Sequence, residues 1–388
     1  MSIHAASVSV SPGLWALAWR RLRADRLAMV ALAIVIAFLL LMLASVSGLV
    51  AGDWSREVGV NYAPPTFLGI QADTLDDKSA TTGAHGVADE PPLNPLDPLA
   101  ADITELRAEL RTELRGAGAD NRTPIDHYGI TDPLTGELNE IHAALKSSTG
   151  AASRAALPEE RLPTLIFGGD KWGRDVAQKT IKGSGTSIFV GLVAALVATL
   201  LGTLLGALAG YFGKWVDDVL NWFYSIFTSI PYLLLILAIA AVVPKGKGLL
   251  SIVLILGLTG WTGVFRLVRA EYMKHKTREY VLAADAIGAS DLRKMFVHIF
   301  PNVSHVALVQ LSILVVGFIK SEVILSFLGF GVPVDSVSWG SMLNEAQNEL
   351  ILGKWWQLVA ATAAMALLVT AFSLFTDALR DALDPKLK

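Results

Sequence analysis

A chain of 388 residues that is 53% hydrophobic and only 17% charged is too apolar for an ordinary soluble domain, and suits a protein that crosses a bilayer several times. Its mean hydropathy of +0.50 agrees. The absence of cysteine excludes disulfides, zinc–thiolate centres and thiol catalysis, and a net charge of −3 says nothing about partners, so the placement of charge has to.

Residues 1–26 turn basic toward their end, with Arg20, Arg21, Arg23 and Arg26. The apolar run 27–50 follows. At about 1.5 Å per residue it is long enough to cross a hydrocarbon core of roughly 30 Å. It is longer than the roughly 7–15 apolar residues of a cleaved signal, which favours an uncleaved anchor. The basic flank places its start in the cytoplasm. Residues 51–165 change character, with Pro64 and Pro65, Pro91 and Pro92, and many acids. They are expected as an extracytoplasmic insertion between the first and second spans. Within it, 102–115 reads as an amphipathic helix with an apolar stripe of Ile103, Leu106, Leu110 and Leu114. A solvated helix on its own small domain is the first reading of it; a docking surface for a partner is the second.

Five more apolar runs come after: 184–210, 220–243 with a break at Pro231, 249–268, 303–330 and about 357–375. The predicted fold is therefore an all-α integral membrane protein of six transmembrane helices, with residues 166–388 forming a core of five. Gly202, Gly206 and Gly210, four residues apart, predict close helix packing in lipid. Residues 244–248 and the polar stretch 331–354 are expected as outer loops, and Trp355 and Trp356 suit an interfacial aromatic belt. Arg380, Lys386 and Lys388 place the C-terminal tail, like the N-terminus, in the cytoplasm. Lys320 and Glu322 are the only ionisable pair well inside an apolar run; they are expected to snorkel or pair at an outer gate.

Catalytic signatures are missing. There is no G-x-x-x-x-G-K-[ST], no H-E-x-x-H and no G-x-S-x-G, and the seven histidines are scattered. No catalytic residue, metal site or cofactor is expected of this chain, so it reads as a transport pathway energised from elsewhere. An ion-coupled secondary transporter would be expected to hold ionisable groups near the midplane, and the other spans hold none.

The segment 277–302, TREYVLAADAIGASDLRKMFVHIFPN, lies between the fourth and fifth spans. It predicts two short helices and a corner. Thr277 would cap the first, Glu279 sits in its first turn, and Gly288 would end it at positive φ. Ser290 would cap the second and Pro301 would stop it. Ala283, Ala284 and Ile287 share one side, small enough for another surface to approach. Arg269, Lys274, Lys276, Arg278, Arg293 and Lys294 place the corner in the cytoplasm.

The pattern E-Y-V-x-A-A-x-A-x-G-A-S, followed by H-x-x-P-N, resembles the EAA coupling loop of ABC-transporter permeases, in the form used by the C-type subunits of dipeptide and oligopeptide systems. The resemblance implies an ATPase-coupling loop within 269–302 made of Glu279, Tyr280, Ala283, Ala284, Gly288, Ala289, Ser290, His298 and Pro301. Leu282 stands where the general motif has Glu. Asp285 stands where the peptide family often has Arg, so a salt bridge from this position to an ATPase is expected to differ. FGGDKWGRDV at 167–176 resembles the family's G-T-D-x-x-G-R-D-V, with Gly169 for Thr. Arg174 beside Asp170 and Asp175 is expected to lock the outer end of the second span. ILSFLGFGVP, with Glu322 just before it, WGSML at 339–343 and the tail TDALRDALDPKLK resemble further family segments, with Thr376 for Gly in the last. The likeness is dense over 165–388 and loose over 14–50.

It implies a type I importer permease in a bacterial inner membrane, both termini cytoplasmic. The implied partners are a second permease in a heterodimer, two ATP-binding subunits carrying ATP and Mg, an extracytoplasmic substrate-binding protein and membrane lipid, with no nucleic acid. The expected cargo is di- or oligopeptides. The alternatives are nickel or another small solute, an ion-coupled secondary transporter, or a membrane-anchored binding or sensor protein.

Overall fold

The computed structural model describes residues 14–69, 161–243, 248–333 and 335–383. The chain divides into two units, Met1–Gln71 with Arg161–Lys388, and Ala72–Glu160. The second unit, with the helix expected at 102–115, lies outside the described residues.

Helix α1 (Leu14–Ala24) ends at Asp25, whose carboxylate accepts from the backbone N–H of Leu27 (2.9 Å) and Ala28 (3.2 Å) and so caps α2 (Arg26–Val46). Residues 14–24 of the basic N-terminal segment are thus helical, and Leu22 joins Ala382 and Leu383, near the other end of the chain, in one buried apolar cluster. Asp175 caps α3 (Val176–Phe212) by accepting from Ala177 N–H at 2.8 Å, and Gly213 at φ 64° ends it. Its 37 residues amount to about 55 Å at 1.5 Å each, so α3 outreaches a bilayer core.

Helices α4 (Lys214–Ser229) and α5 (Tyr232–Val242) meet at an 87° bend. Pro231, expected as a break within a span, sits at that bend, where its missing N–H leaves no helical hydrogen bond to lose. Helices α6 (Leu249–Thr259) and α7 (Thr262–Lys276) are interrupted only at Gly260 and Trp261 and together make one apolar run. Then come α8 (Glu279–Ala286), α9 (Asp291–Arg293), a π turn at Lys294–Ile299 and α10 (Phe300–Phe327). Helices α11 (Trp339–Ile351) and α12 (Trp356–Leu383) close the chain.

Five of these helices or helix runs are long and apolar enough to cross a membrane, and six if the bent pair is one span. Among the described residues there is no strand, only isolated bridges, three joining 57–65 to 162–174 and one between Gly169 and Asp175. The all-helical expectation holds. One stretch differs: 331–354, expected as a polar loop, contains α11. Ser338 Oγ accepts from Ser341 N–H at 3.2 Å and Ser341 Oγ accepts from Ser338 N–H at 2.9 Å, a reciprocal cap. Trp339, Met342 and Ala346 then fall on one buried face.

The centre of the bundle is α3. A Cβ on Gly202 would lie 2.6 Å from the Trp261 carbonyl oxygen, one on Gly206 2.8 Å from that of Phe265, and one on Gly210 2.6 Å from that of Arg269. Each step of four on α3 meets a step of four on the 261–269 stretch. The two backbones therefore touch, run parallel and stay in register, as the glycine spacing predicted. Filling this seam has a definite expected result. Gly206→Leu should lower stability by about 1–3 kcal/mol through overpacking, read as a fall in the unfolding midpoint in detergent. An unchanged midpoint would mean that the seam is not packed as described.

Candidate functional site

The corner predicted between the fourth and fifth spans exists, but it is built differently. Thr277 does not cap α8: its hydroxyl donates to the Lys274 carbonyl at 3.2 Å, so it closes α7. The N-cap position belongs to Arg278, which offers no side-chain bond, and Glu279 takes the first turn as expected. Gly288 at φ +80° ends α8, while Ala289 N–H donates to the Ala284 carbonyl at 3.0 Å. A Cβ on Gly288 would meet nothing within 4 Å, so the requirement is conformational. Ser290 holds the N-cap position of α9 without a side-chain bond.

Pro301 does not stop the second helix. It lies in the first turn of α10, and the run Asp291–Phe327 continues through it. The π turn just before it supplies the local change in hydrogen bonding that lets the chain pass a proline. His298 lies in that turn, its carbonyl accepting from Asn302 Nδ2 at 2.9 Å.

Ala283, Ala284 and Ile287 do not share one environment. Ala284 and Val281 are buried, with Val281 joining Tyr211, Tyr272, Met295, Ile299 and Val303 in a cluster at this end of the bundle. Ala283 faces outward, and Ile287 is 85% exposed. Leu282 and Leu292, on either side of Gly288 in the chain, are exposed as well. Tyr280 OH pairs with His275 Nδ1 at 2.8 Å, and burial pushes its phenol pKa up. Asp285 forms an ion pair inside the chain, its Oδ1 2.5 Å from Lys294 Nζ. Lys294 also reaches Asp291 at 3.0 Å, and Tyr211 OH donates to the same Asp291 oxygen at 2.7 Å. Arg269 holds Asp217 through two hydrogen bonds of 2.5 and 2.6 Å, joining α7 to α4.

The other end of α3 carries a second polar cluster. Asp170 is fully buried and accepts from the backbone N–H of Trp172 (2.9 Å) and Arg174 (3.0 Å) and from Lys179 Nζ (2.8 Å). Lys179 is 2% exposed and also bonds Glu345 and, at 3.3 Å, Gln357 Oε1. The lock expected of Arg174 between two acids is thus made by Lys179. Asp175 serves as the α3 cap, and the Arg174 guanidinium lies 5.6 Å over the Trp54 ring. Lys179 escaped notice in the sequence because Glu345 and Gln357 lie on distant elements, α11 and α12. Nearby, Glu349 is buried and accepts from Lys171 N–H at 3.3 Å. Burial raises its pKa to about 7; Lys179 opposes the shift, and Asp170 and Glu345 add to it.

Lys320 and Glu322 are not a pair. Two residues apart on a helix, they point to different sides. Lys320 is exposed, whereas Glu322 is fully buried and accepts from Ser326 Oγ at 2.6 Å. Among the described residues, no group of three or more His, Asp or Glu could hold a metal.

The described residues thus form a helical membrane bundle with a buried polar cluster at one end of α3 and an ion-paired corner near the other. Comparison with known proteins makes this specific. Residues 202–388 match the binding-protein-dependent transport system inner membrane component family, and residues 13–65 match the N-terminal TM domain of oligopeptide transport permease C. The chain is 37% identical over 238 residues to the dipeptide transport system permease protein DppC of Bacillus subtilis, covering 61% of this chain and 74% of the relative. It is 36% identical over 222 residues to the oligopeptide transport system permease protein OppC of the same organism, covering 57% and 72%. To the peptidoglycan transport system permease protein YejE of Agrobacterium fabrum it is 36% identical over 220 residues, 57% of each chain. The chain belongs to the family of binding-protein-dependent transport system inner membrane components. It is an integral inner-membrane ABC permease subunit and not itself an enzyme; the ATPase of such a system is a separate subunit.

Glu349 gives a pH test. A carboxyl whose pKa is raised in the folded state binds its proton more tightly there than when unfolded. Its stabilising effect is present at acid pH and is lost as pH rises through about 7. The unfolding midpoint should therefore fall between about pH 5 and pH 8, and Glu349→Gln should flatten that part of the profile. An identical slope in both proteins would refute the assignment.

Proposed function

We propose that this chain is the permease subunit of an ATP-driven peptide importer, and that the corner at 279–302 is where a separate ATPase docks. The observation that carries this reading is the exposure of Leu282, Ile287 and Leu292 where the runs Leu249–Lys276 and Asp291–Phe327 are joined, on a corner in which Lys294 is ion-paired with Asp285 and Asp291. Glu279, Tyr280, Ala283 and Ala289 lie on this corner. Ala284, Gly288, Ser290, His298 and Pro301 shape its backbone. ATP and Mg belong to the partner ATPases. Peptide cargo is supported by the dipeptide and oligopeptide permeases among the relatives.

In this reading the fold is the type I importer fold and the two termini are cytoplasmic. The end bearing Asp170, Lys179 and Glu349 then faces outward, where it would meet an extracytoplasmic binding protein. The block 51–165 is read as an extracytoplasmic insertion between the first and second spans. A second permease completes the pathway in a heterodimer. Docked ATPases, closing on ATP, push the corner and rock the spans between outward and inward access.

Ile287→Asp tests the docking role. The side chain is 85% exposed, so stability should change by no more than about 0.5 kcal/mol. The ATPase should no longer co-purify with the chain. Full retention of the ATPase by a stably folded Ile287→Asp chain would rule the corner out as the docking site.

A further inference from the structure

We infer that Lys294 is a positioning residue that joins the docking helix α8 to the long helix α3, so that force on α8 reaches the bundle instead of bending the corner. The inference rests on the docking role proposed above.

Helix α8 is only eight residues long, and only Val281 and Ala284 of it are buried. It ends at Gly288, a residue with wide backbone freedom. Two small apolar contacts beside such a joint let a pushed helix rock. Polar ties hold both of its ends. At the start, Tyr280 OH meets His275 Nδ1 of α7 at 2.8 Å. At the finish, Asp285 meets Lys294 at 2.5 Å.

The second tie leads further into the bundle. Lys294 is the first residue of the π turn, and its side chain is 11% exposed, against 64% for Asp285 and 57% for Asp291. One largely buried ammonium thus gathers two carboxylates that reach out to water. Asp291 Oδ1, 3.0 Å from Lys294, also accepts from Tyr211 OH at 2.7 Å, and Tyr211 is the penultimate residue of α3. Lys276 Nζ donates to the Tyr211 carbonyl at 2.5 Å and lies 5.3 Å from the Tyr211 ring centre, with Lys294 6.0 Å from the same ring. A continuous route runs from α8 through Asp285, Lys294, Asp291 and Tyr211 into α3. Each link is charge-assisted and directional, whereas apolar contacts can slide.

The test uses the full chain assembled with its ATPases in proteoliposomes. Lys294→Met removes the ammonium and keeps the stem, Asp285→Asn alters only an exposed partner, and Lys294→Arg preserves the charge. Two quantities are read: hydrogen exchange at the α8 amides, and uptake of a labelled dipeptide per ATP hydrolysed. In Lys294→Met, α8 exchange should rise and uptake per ATP fall, each by about tenfold, as expected for a lost charged hydrogen bond. Asp285→Asn should move both the same way, Lys294→Arg should stay near wild type, and the amount of bound ATPase should not change. Unchanged exchange and unchanged uptake per ATP in both Lys294→Met and Asp285→Asn would overturn the inference. So would loss of the ATPase from Lys294→Met, because that would place Lys294 in the docking contact itself. A wild-type chain that binds no ATPase overturns the docking reading, and this inference with it, before any substitution is made.

Discussion

The backbone contact between α3 and the 261–269 stretch is the constraint on which the rest of the bundle depends. In lipid there is no hydrophobic gain from bringing two apolar helices together, so association rests on dispersion and on close approach. Gly202, Gly206 and Gly210 supply that approach by removing the α3 side chains that would meet the carbonyls of Trp261, Phe265 and Arg269. Because the register advances by four residues on both sides, neither helix slides along the other without forcing a Cα–H against a carbonyl. The pair is also parallel. Helix α7 runs straight into the corner, and α3 ends at Tyr211, where the corner's polar ties arrive. The seam therefore turns two separate attachments of the corner into one rigid base.

Helix α3 has an ammonium between two carboxylates at each of its ends, and the two sites differ in solvent. Lys179 and Asp170 are buried, and Gln357 completes the site from α12. Removing one member would leave an uncompensated charge away from water, the expensive case for a buried pair. That end joins the start of α3 to α11 and α12 and to the loops around Gly59 and Gly169. At the corner, Lys294 is shielded while Asp285 and Asp291 stay wet. Salt screens such ties more than it does the buried Lys179 site. Polar ties therefore fix α3 at both ends, one dry and one partly wet.

The features written locally in the sequence were legible. Apolar run length located the spans, Pro231 marked the bend, glycine spacing marked the seam, and Gly288 marked the turn at positive φ. The misreadings share a cause: competing local rules were settled by tertiary context. Thr277 stood between two helices, and its hydroxyl went to the one behind it. Pro301 looked like a terminator, but a π turn absorbed it and the helix continued. Residues 331–354 looked polar because α11 buries one face only. The pairing of Lys320 with Glu322 failed on helical geometry, which puts neighbours three or four residues apart. Lys179 gave little local signal, since Asp170 is nine residues back and outside the helix and its other acidic partner, Glu345, is 166 residues away. The same holds for Asp285, whose departure from the family pattern becomes intelligible only once Lys294 is seen beside it.

The exposed apolar surface of the corner bears on the proposed assembly. Single exposed aliphatic residues are ordinary on protein surfaces, and Leu282, Ile287 and Leu292 are three of them close in sequence to the turn at Gly288. Burying three such side chains is worth on the order of 5–9 kcal/mol, at about 1.5–3 kcal/mol each. Association costs about 4–15 kcal/mol in lost translational and rotational freedom before anything else is counted. One corner by itself therefore makes a weak contact. A second corner on a partner permease, facing a pair of ATPases, would engage at high effective concentration, and the two together would hold where one does not. In the proposed assembly, two corners acting together would offset the weakness of each. That weakness also explains why the corner must be stiff: a small interface can transmit force only if little of the motion is lost within the corner.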